Sequence, residues 1–268
     1  VYNKLKENKM LISHTVPTKY LRKFDEFSSV YLVLGHLIGK DEEYTNFFTQ
    51  SKKYKYIDNS AYELGEAIKN QELVDKAHLI NADALVLPDV FMDGLETLKR
   101  TYAFLEKFRT IHKDFDLVAV PQGKTPEEYL DCASELLKIK EIKTIAVSFL
   151  VVARCFSIIT RTNDQNVLAN RPLAVGMVRQ LMRLQANQLN IHLLGLGNPI
   201  ELSCYNNKGF VVSCDSSVAF ALANVGLKVN NLGCPRDKFD HLNFDETDTS
   251  AETLLLAERN IRRINSFI

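Results

Sequence analysis

The chain has 268 residues, 46% of them hydrophobic, with 33 basic and 33 acidic side chains and a formal net charge of zero. That is enough apolar material for one large α/β domain or two small ones, and the balanced charge excludes a global positive field, so any nucleic-acid binding must use a local patch. No apolar run approaches the roughly 18 to 20 residues of a membrane helix, and Val1–Met10 lacks the apolar core of an export signal. Five cysteines without C-x-x-C spacing read as reduced thiols, so the expectation is a cytoplasmic protein with no membrane partner.

Strand-like runs recur along the chain with helical segments between them. Met10–Ser13 is the first. Tyr31–Leu34 leads to His36, and Tyr54–Ile57 to Asp58. Ala84–Leu87 runs into Pro88-Asp89, and Leu117–Val120 into Pro121-Gln122-Gly123. Thr144–Val147 reaches Ser148-Phe149, and Ile191–Leu194 reaches Gly195-Leu196-Gly197. The short β-branched run Phe210–Val212 leads to Asp215.

The connections carry helical spacing. Glu66–Ile80 has apolar residues at Ala67, Ile68, Val74, Ala77, Leu79 and Ile80. Thr125–Lys138 opens with an N-cap threonine, a proline at the first helical position and two acids in the first turn. Arg171–Gln188 has a proline just inside its start and an apolar face at Leu173, Val175, Val178, Leu181 and Leu184. Asn198-Pro199 starts a short helix, and Ser250 caps a closing one that runs to Ile264. After Asp215, Ser216 and Ser217 are placed to cap another.

Eight strands, each followed by a connection long enough to cross over, predict a (β/α)8 barrel filling residues 1–268 as a single domain. A doubly wound open sheet shares this rhythm. Val151–Asn170 is long for a connection and would lie at the mouth as a lid. Lys228–Asp248 reads as irregular. Cys234, His241 and nearby carboxylates suggest a zinc site only loosely, because their spacing matches no tight ligand pattern.

Asp58, Asp89, Gln122, Ser148 and Asp215 all fall at strand ends. In a barrel those ends converge on one mouth, where crowded carboxylates shift each other's pKa and suit acid/base and nucleophilic work. Each aspartate alone would also serve as a helix cap. Gly195-Leu196-Gly197 lacks the third glycine of a dinucleotide loop. The histidines form no metal or triad pattern and read as mostly structural, with His36 the one pocket candidate.

Four of these strand ends resemble one family, the tRNA-guanine transglycosylases, and most closely their virus-associated relatives that insert 7-deazaguanines into DNA. Asp58-Asn59-Ser60-Ala61-Tyr62-Glu63 is similar to the family's D-S-G-G/A-F-Q. Val120-Pro121-Gln122-Gly123 is similar to its V-Q-G, and Glu127-Glu128-Tyr129 follows as in the family. His192–Pro199 resembles H-L-x-G-x-G-x-P, and Cys214–Leu222 resembles F-D-S-A-A-Y-A-L.

The resemblance implies a (β/α)8 barrel and an enzyme that exchanges a guanine without a cofactor. By it, Asp215 is the nucleophile at the sugar C1′ and Asp58 the general acid/base. Asp89, Gln122, Gly123, Ser148, Phe149 and Gly195 would hold the base. The implied partners are DNA, with tRNA as the alternative, and a free 7-deazaguanine; a homodimer is left open. The family's zinc cluster has no counterpart here, its basic segment after the nucleophile has none beyond Lys228 and Arg236, and no RNA-binding domain is expected. These departures favour DNA over tRNA. Arg154, Arg161, Arg171, Lys124 and Arg236 are candidates for phosphate contacts, or simply solvated charges. A non-catalytic barrel that binds nucleic acid or a partner subunit is the reading from another class, and a nucleoside hydrolase is a third.

Overall fold

The structure, a computed structural model, describes residues 10–157, 167–205, 209–230 and 249–268. Its strands are β1 (Leu11–His14), β2 (Val30–Leu34), β3 (Tyr54–Asp58), β4 (Ala84–Val86), β5 (Asp116–Ala119), β6 (Ile142–Ser148), β7 (Asn190–Leu194) and β8 (Val211–Ser216). They form one eight-stranded sheet in the order β1-β8-β7-β6-β5-β4-β3-β2. Every paired neighbour runs parallel. This is a (β/α)8 barrel rather than an open doubly wound sheet.

The two end strands close the barrel largely through serine hydroxyls instead of a regular ladder. Ser29 N–H donates to the Ile12 carbonyl at 2.9 Å, and the Ser29 hydroxyl accepts from Ile12 N–H at 2.8 Å. Ser28 accepts from His14 N–H and Ser13 accepts from Leu32 N–H, each at 2.9 Å. Side chains thus satisfy amides that an open edge would leave unpaired.

Period-two alternation splits the apolar residues into two cores. Val30, Leu32, Tyr56, Ala84, Val86, Val118, Val120 and Ala146 fill the barrel interior. Their strand neighbours, among them Val33, Ile57, Leu85, Leu117, Ile145, Leu193 and Cys214, pack outward under the helices.

The helices are α1 (Leu21–Phe24), α2 (Glu42–Gln50), α3 (Ala61–Leu64), α4 (Asn70–Leu79), α5 (Gly94–Lys107), α6 (Pro126–Leu137), α7 (Phe149–Cys155), α8 (Val167–Leu184), α9 (Val218–Asn224) and α10 (Ala251–Asn265). Thr125 caps α6 by accepting from Glu128 N–H, and Ser250 caps α10 by accepting from Thr253 N–H, as expected. A short 3-10 helix, Pro199–Tyr205, follows β7. Among the described residues, no helix is long and apolar enough to cross a membrane.

Four local expectations change. Pro172 lies inside α8, because that helix begins upstream at Val167. The helix expected over 66–80 starts later, as α4 at Asn70, and a separate short helix, α3, precedes it and ends at the left-handed Gly65. The expected lid opens as α7, whose Val151, Val152, Ala153 and Cys155 are buried in the wall; its remainder over 158–166 lies outside the described residues. Asp215 is the second-last residue of β8, as expected near the strand end, and α9 follows after Ser217. Ser217 makes no side-chain cap to α9, while the Ser216 hydroxyl accepts from Val218 N–H at 3.2 Å. Of the irregular 228–248 stretch, residues 231–248 lie outside the described residues, and with them Cys234, Arg236 and His241.

Candidate active site

The mouth is built from the carboxyl ends of the strands. Asp58 ends β3, two positions after inward-facing Tyr56. Asp215 lies two positions after Ser213 on β8. One layer below the two acids, the Tyr56 hydroxyl and Ser213 Oγ lie 3.1 Å apart across the barrel. Period two therefore stacks both carboxylates over a direct cross-barrel contact. The aspartates are buried, Asp58 at 9% and Asp215 at 6% exposure.

Asp58 has sparse support. Its Oδ2 accepts from Ser60 N–H at 2.8 Å. Ser60 adopts a left-handed φ of 58°, uncommon for a residue with a side chain. The Ser60 hydroxyl in turn meets the His36 backbone N–H at 3.1 Å and His36 Nδ1 at 3.0 Å. Burial raises the Asp58 pKa well above the ordinary carboxylate range, and the charges of Glu63, Asp89 and Asp215 add to it. The Ser60 N–H works the other way. Glu63, on α3 just after β3, is an exposed residue, yet desolvation of its carboxyl and the Asp215 charge raise its pKa as well.

Asp89 and Gln122 are bonded to each other. Gln122 Nε2 donates to Asp89 Oδ2, and Asn59 Nδ2 donates to Asp89 Oδ1 at 2.7 Å. Gln122 Oε1 accepts from Met92 N–H at 3.0 Å. Burial raises the Asp89 pKa, while the Asn59 and Gln122 donors draw it back. Gly123 is required by packing: a Cβ there would come within 2.3 Å of Tyr129 N at the start of α6.

Asp215 is held on the opposite terms. Its Oδ1 accepts from Gly195 N–H at 2.8 Å and meets His192 Nε2 at 3.1 Å. His192 Nδ1 lies 2.8 Å from Ser213 Oγ. Gly195 has a φ of 69°, and a Cβ on it would lie 2.9 Å from the Phe149 ring. Glycine is thus needed both for the turn and for the contact with Phe149. Ser148 ends β6 immediately before Phe149, without a side-chain cap to α7.

Arg171 does not reach out to phosphate. It is fully buried, with Nε donating to Glu201 Oε1 at 2.7 Å. Its Nη1 donates to the carbonyls of Leu194, at 3.1 Å, and of Gly195. Arg171 therefore pins the turn whose N–H faces Asp215. The helical periodicity could not reveal this, because α8 begins before Arg171 and turns the side chain inward. Arg154 is exposed, its guanidinium 5.0 Å from the centre of the exposed Phe91 ring. Lys124 is also exposed. Arg161 and Arg236 lie outside the described residues.

The structure thus brings Asp58, Asp89, Gln122 and Asp215 to one mouth, with Gly195 beside Asp215 and Phe149 against Gly195. Sequence reasoning passed over His192, Asn59, Glu63 and Glu201. The signal for His192 was present: it lies two residues before the end of its strand, and Ser213 lies two before Asp215, so both face inward. Among the described residues, no group of three or more His, Cys, Asp or Glu side chains is arranged to hold a metal ion.

Fold and site together define a (β/α)8 barrel with a carboxylate-lined mouth. Set against known proteins, the chain matches no protein-family model and no curated protein.

Proposed function

We propose that this protein is a base-exchange glycosyltransferase that replaces guanine in DNA with a 7-deazaguanine. The observation that carries the reading is a pair of buried carboxyl groups at one mouth in unlike surroundings. Burial and like charge favour the protonated form of Asp58, whereas N–H donors hold Asp215 as an acceptor.

In the first step a carboxylate oxygen of Asp215 attacks C1′. The glycosidic bond breaks, its electron pair leaves with guanine, and Asp58 gives that base a proton. In the second step Asp58 takes the ring N–H proton of the incoming 7-deazaguanine, whose nitrogen attacks C1′ and expels Asp215. Two displacements retain configuration, as in retaining glycosidases. Asp89 and Gln122 suit a guanine-like edge, which offers N–H donors beside a carbonyl acceptor. The target nucleotide must leave its stack to enter, and Arg154 beside Phe91 is placed to meet the flanking strand. The reading puts the protein in the cytoplasm, that of an infected bacterium if it is viral.

The test is incubation with a labelled 7-deazaguanine and either DNA or tRNA. Label in DNA supports the proposal, and label only in tRNA moves the substrate. Label in neither defeats it, and release of guanine without insertion favours a hydrolase.

A further inference from the structure

The polar residues inside the barrel form a continuous chain. Tyr56 OH, Ser213 Oγ, the two ring nitrogens of His192 and Asp215 Oδ1 follow one another at 3.1, 2.8 and 3.1 Å. Ser213 and His192 are each at most 1% exposed. An apolar barrel interior has no structural need for such a run, and each member is costly to bury without its partner.

The chain has a direction. An ionised carboxylate only accepts, so His192 Nε2 must carry a proton toward Asp215. With a neutral ring, Nδ1 is an acceptor and takes the Ser213 hydroxyl proton. Ser213 Oγ then accepts from Tyr56 O–H. The carboxylate selects one tautomer, the hydroxyls complete its hydrogen bonding on the other side of the ring, and that tautomer grips one carboxylate oxygen. Gly195 N–H donates to the same oxygen. Among the described residues, Oδ2 has no hydrogen-bond donor.

We infer that His192 is a positioning residue, fixed as its Nε2–H tautomer between Asp215 and the Ser213–Tyr56 hydroxyl pair, which holds Asp215 by Oδ1 and leaves Oδ2 as the oxygen that attacks. The choice of attacking oxygen rests on the proposed base exchange; the tautomer lock does not.

Nitrogen-15 NMR of the full chain, with His192 assigned by substitution, reads the lock directly. The expected signature is a neutral ring protonated at Nε2, and a ring protonated at Nδ1 overturns the inference. Ser213→Ala should weaken the lock and mix the tautomers; an unchanged signature also overturns it. In exchange assays, His192→Leu should lower kcat by roughly 10²-fold with little change in KM, the scale expected of a misplaced reacting atom. His192→Gln, which keeps a side-chain N–H donor, should recover much of that loss. Full kcat in His192→Leu would refute positioning. If His192→Leu does not fold, Ser213→Ala and His192→Gln give the same kinetic decision. A wild-type protein inactive in exchange defeats the base-exchange reading alone, because the tautomer measurement still decides the lock.

Discussion

The two halves of the mouth differ in what surrounds their acids. On the β7–β8 side, Asp215 meets a backbone N–H and a histidine, with Arg171 pinning the turn behind them. On the β3–β5 side, the charges of Glu63 and Asp89 both bear on Asp58, and the donors are amides: Ser60 N–H, Asn59 and Gln122. The lesson is that carboxyl groups of one chemistry are prepared differently by donor supply, which the proposed exchange would use. The well-supplied acid suits a nucleophile, and the crowded one suits a proton carrier.

The most severe way to break this contrast is Asp215→Asn, which keeps the shape of the side chain. Base exchange should fall by about 10⁴-fold, the scale of losing a nucleophile, while circular dichroism shows an intact fold. Retained exchange would mean that the two acids are assigned the wrong way round.

Asp58→Asn should reduce exchange by roughly 10²- to 10⁴-fold and, unlike Asp215→Asn, make the protein more stable at neutral pH. The raised pKa means that the native state holds a proton which the unfolded chain has already lost. Stability therefore falls as pH climbs from the ordinary carboxylate range toward the raised value. Urea unfolding at several pH values should show that decline in the wild type and a shallower one in the variant.

Arg171→Leu attacks the other half through its support. It leaves Glu201 buried without its partner, and denaturant unfolding should register a loss of about 3–5 kcal/mol. A loss of DNA affinity with no change in stability would restore Arg171 as a phosphate contact.

His14, at the end of β1, gives a pH dependence of opposite sign to that of Asp58. Burial pushes its pKa down to about 4, against the opposing bond to Asn265. Between pH 6.5 and about 4 the unfolded chain takes up a proton that the native state refuses. Stability should fall through that window by about 3 kcal/mol and level off below it. His14→Gln should remove most of this acid-side slope.

The smallest effect is expected at the rim. Arg154→Ala should lower the salt dependence of DNA binding by about one counterion, with exchange chemistry otherwise intact. No change in slope would leave Arg154 only as a cover for Phe91.

Much of the fold was legible because strand and crossover rhythm is local. β-branched runs, the Thr125 and Ser250 caps and strand-end aspartates are all statements about near neighbours in the chain. The same locality misled at α8, where Pro172 looks like a helix start until the turn before it is in place. It also left His192 among the structural histidines, since its partner Ser213 is 21 residues away and meets it only across paired strands.

By itself, the sequence determined eight parallel strands and the placing of Asp58, Asp89, Gln122 and Asp215 at their ends, because those features follow from periodicity and turn chemistry. Tertiary structure alone decided which donors each acid receives, that Arg171 turns inward, and that serine hydroxyls join β1 to β2. The reason is that hydrogen bonding and desolvation depend on distances across the barrel, which no stretch of chain contains until the sheet closes.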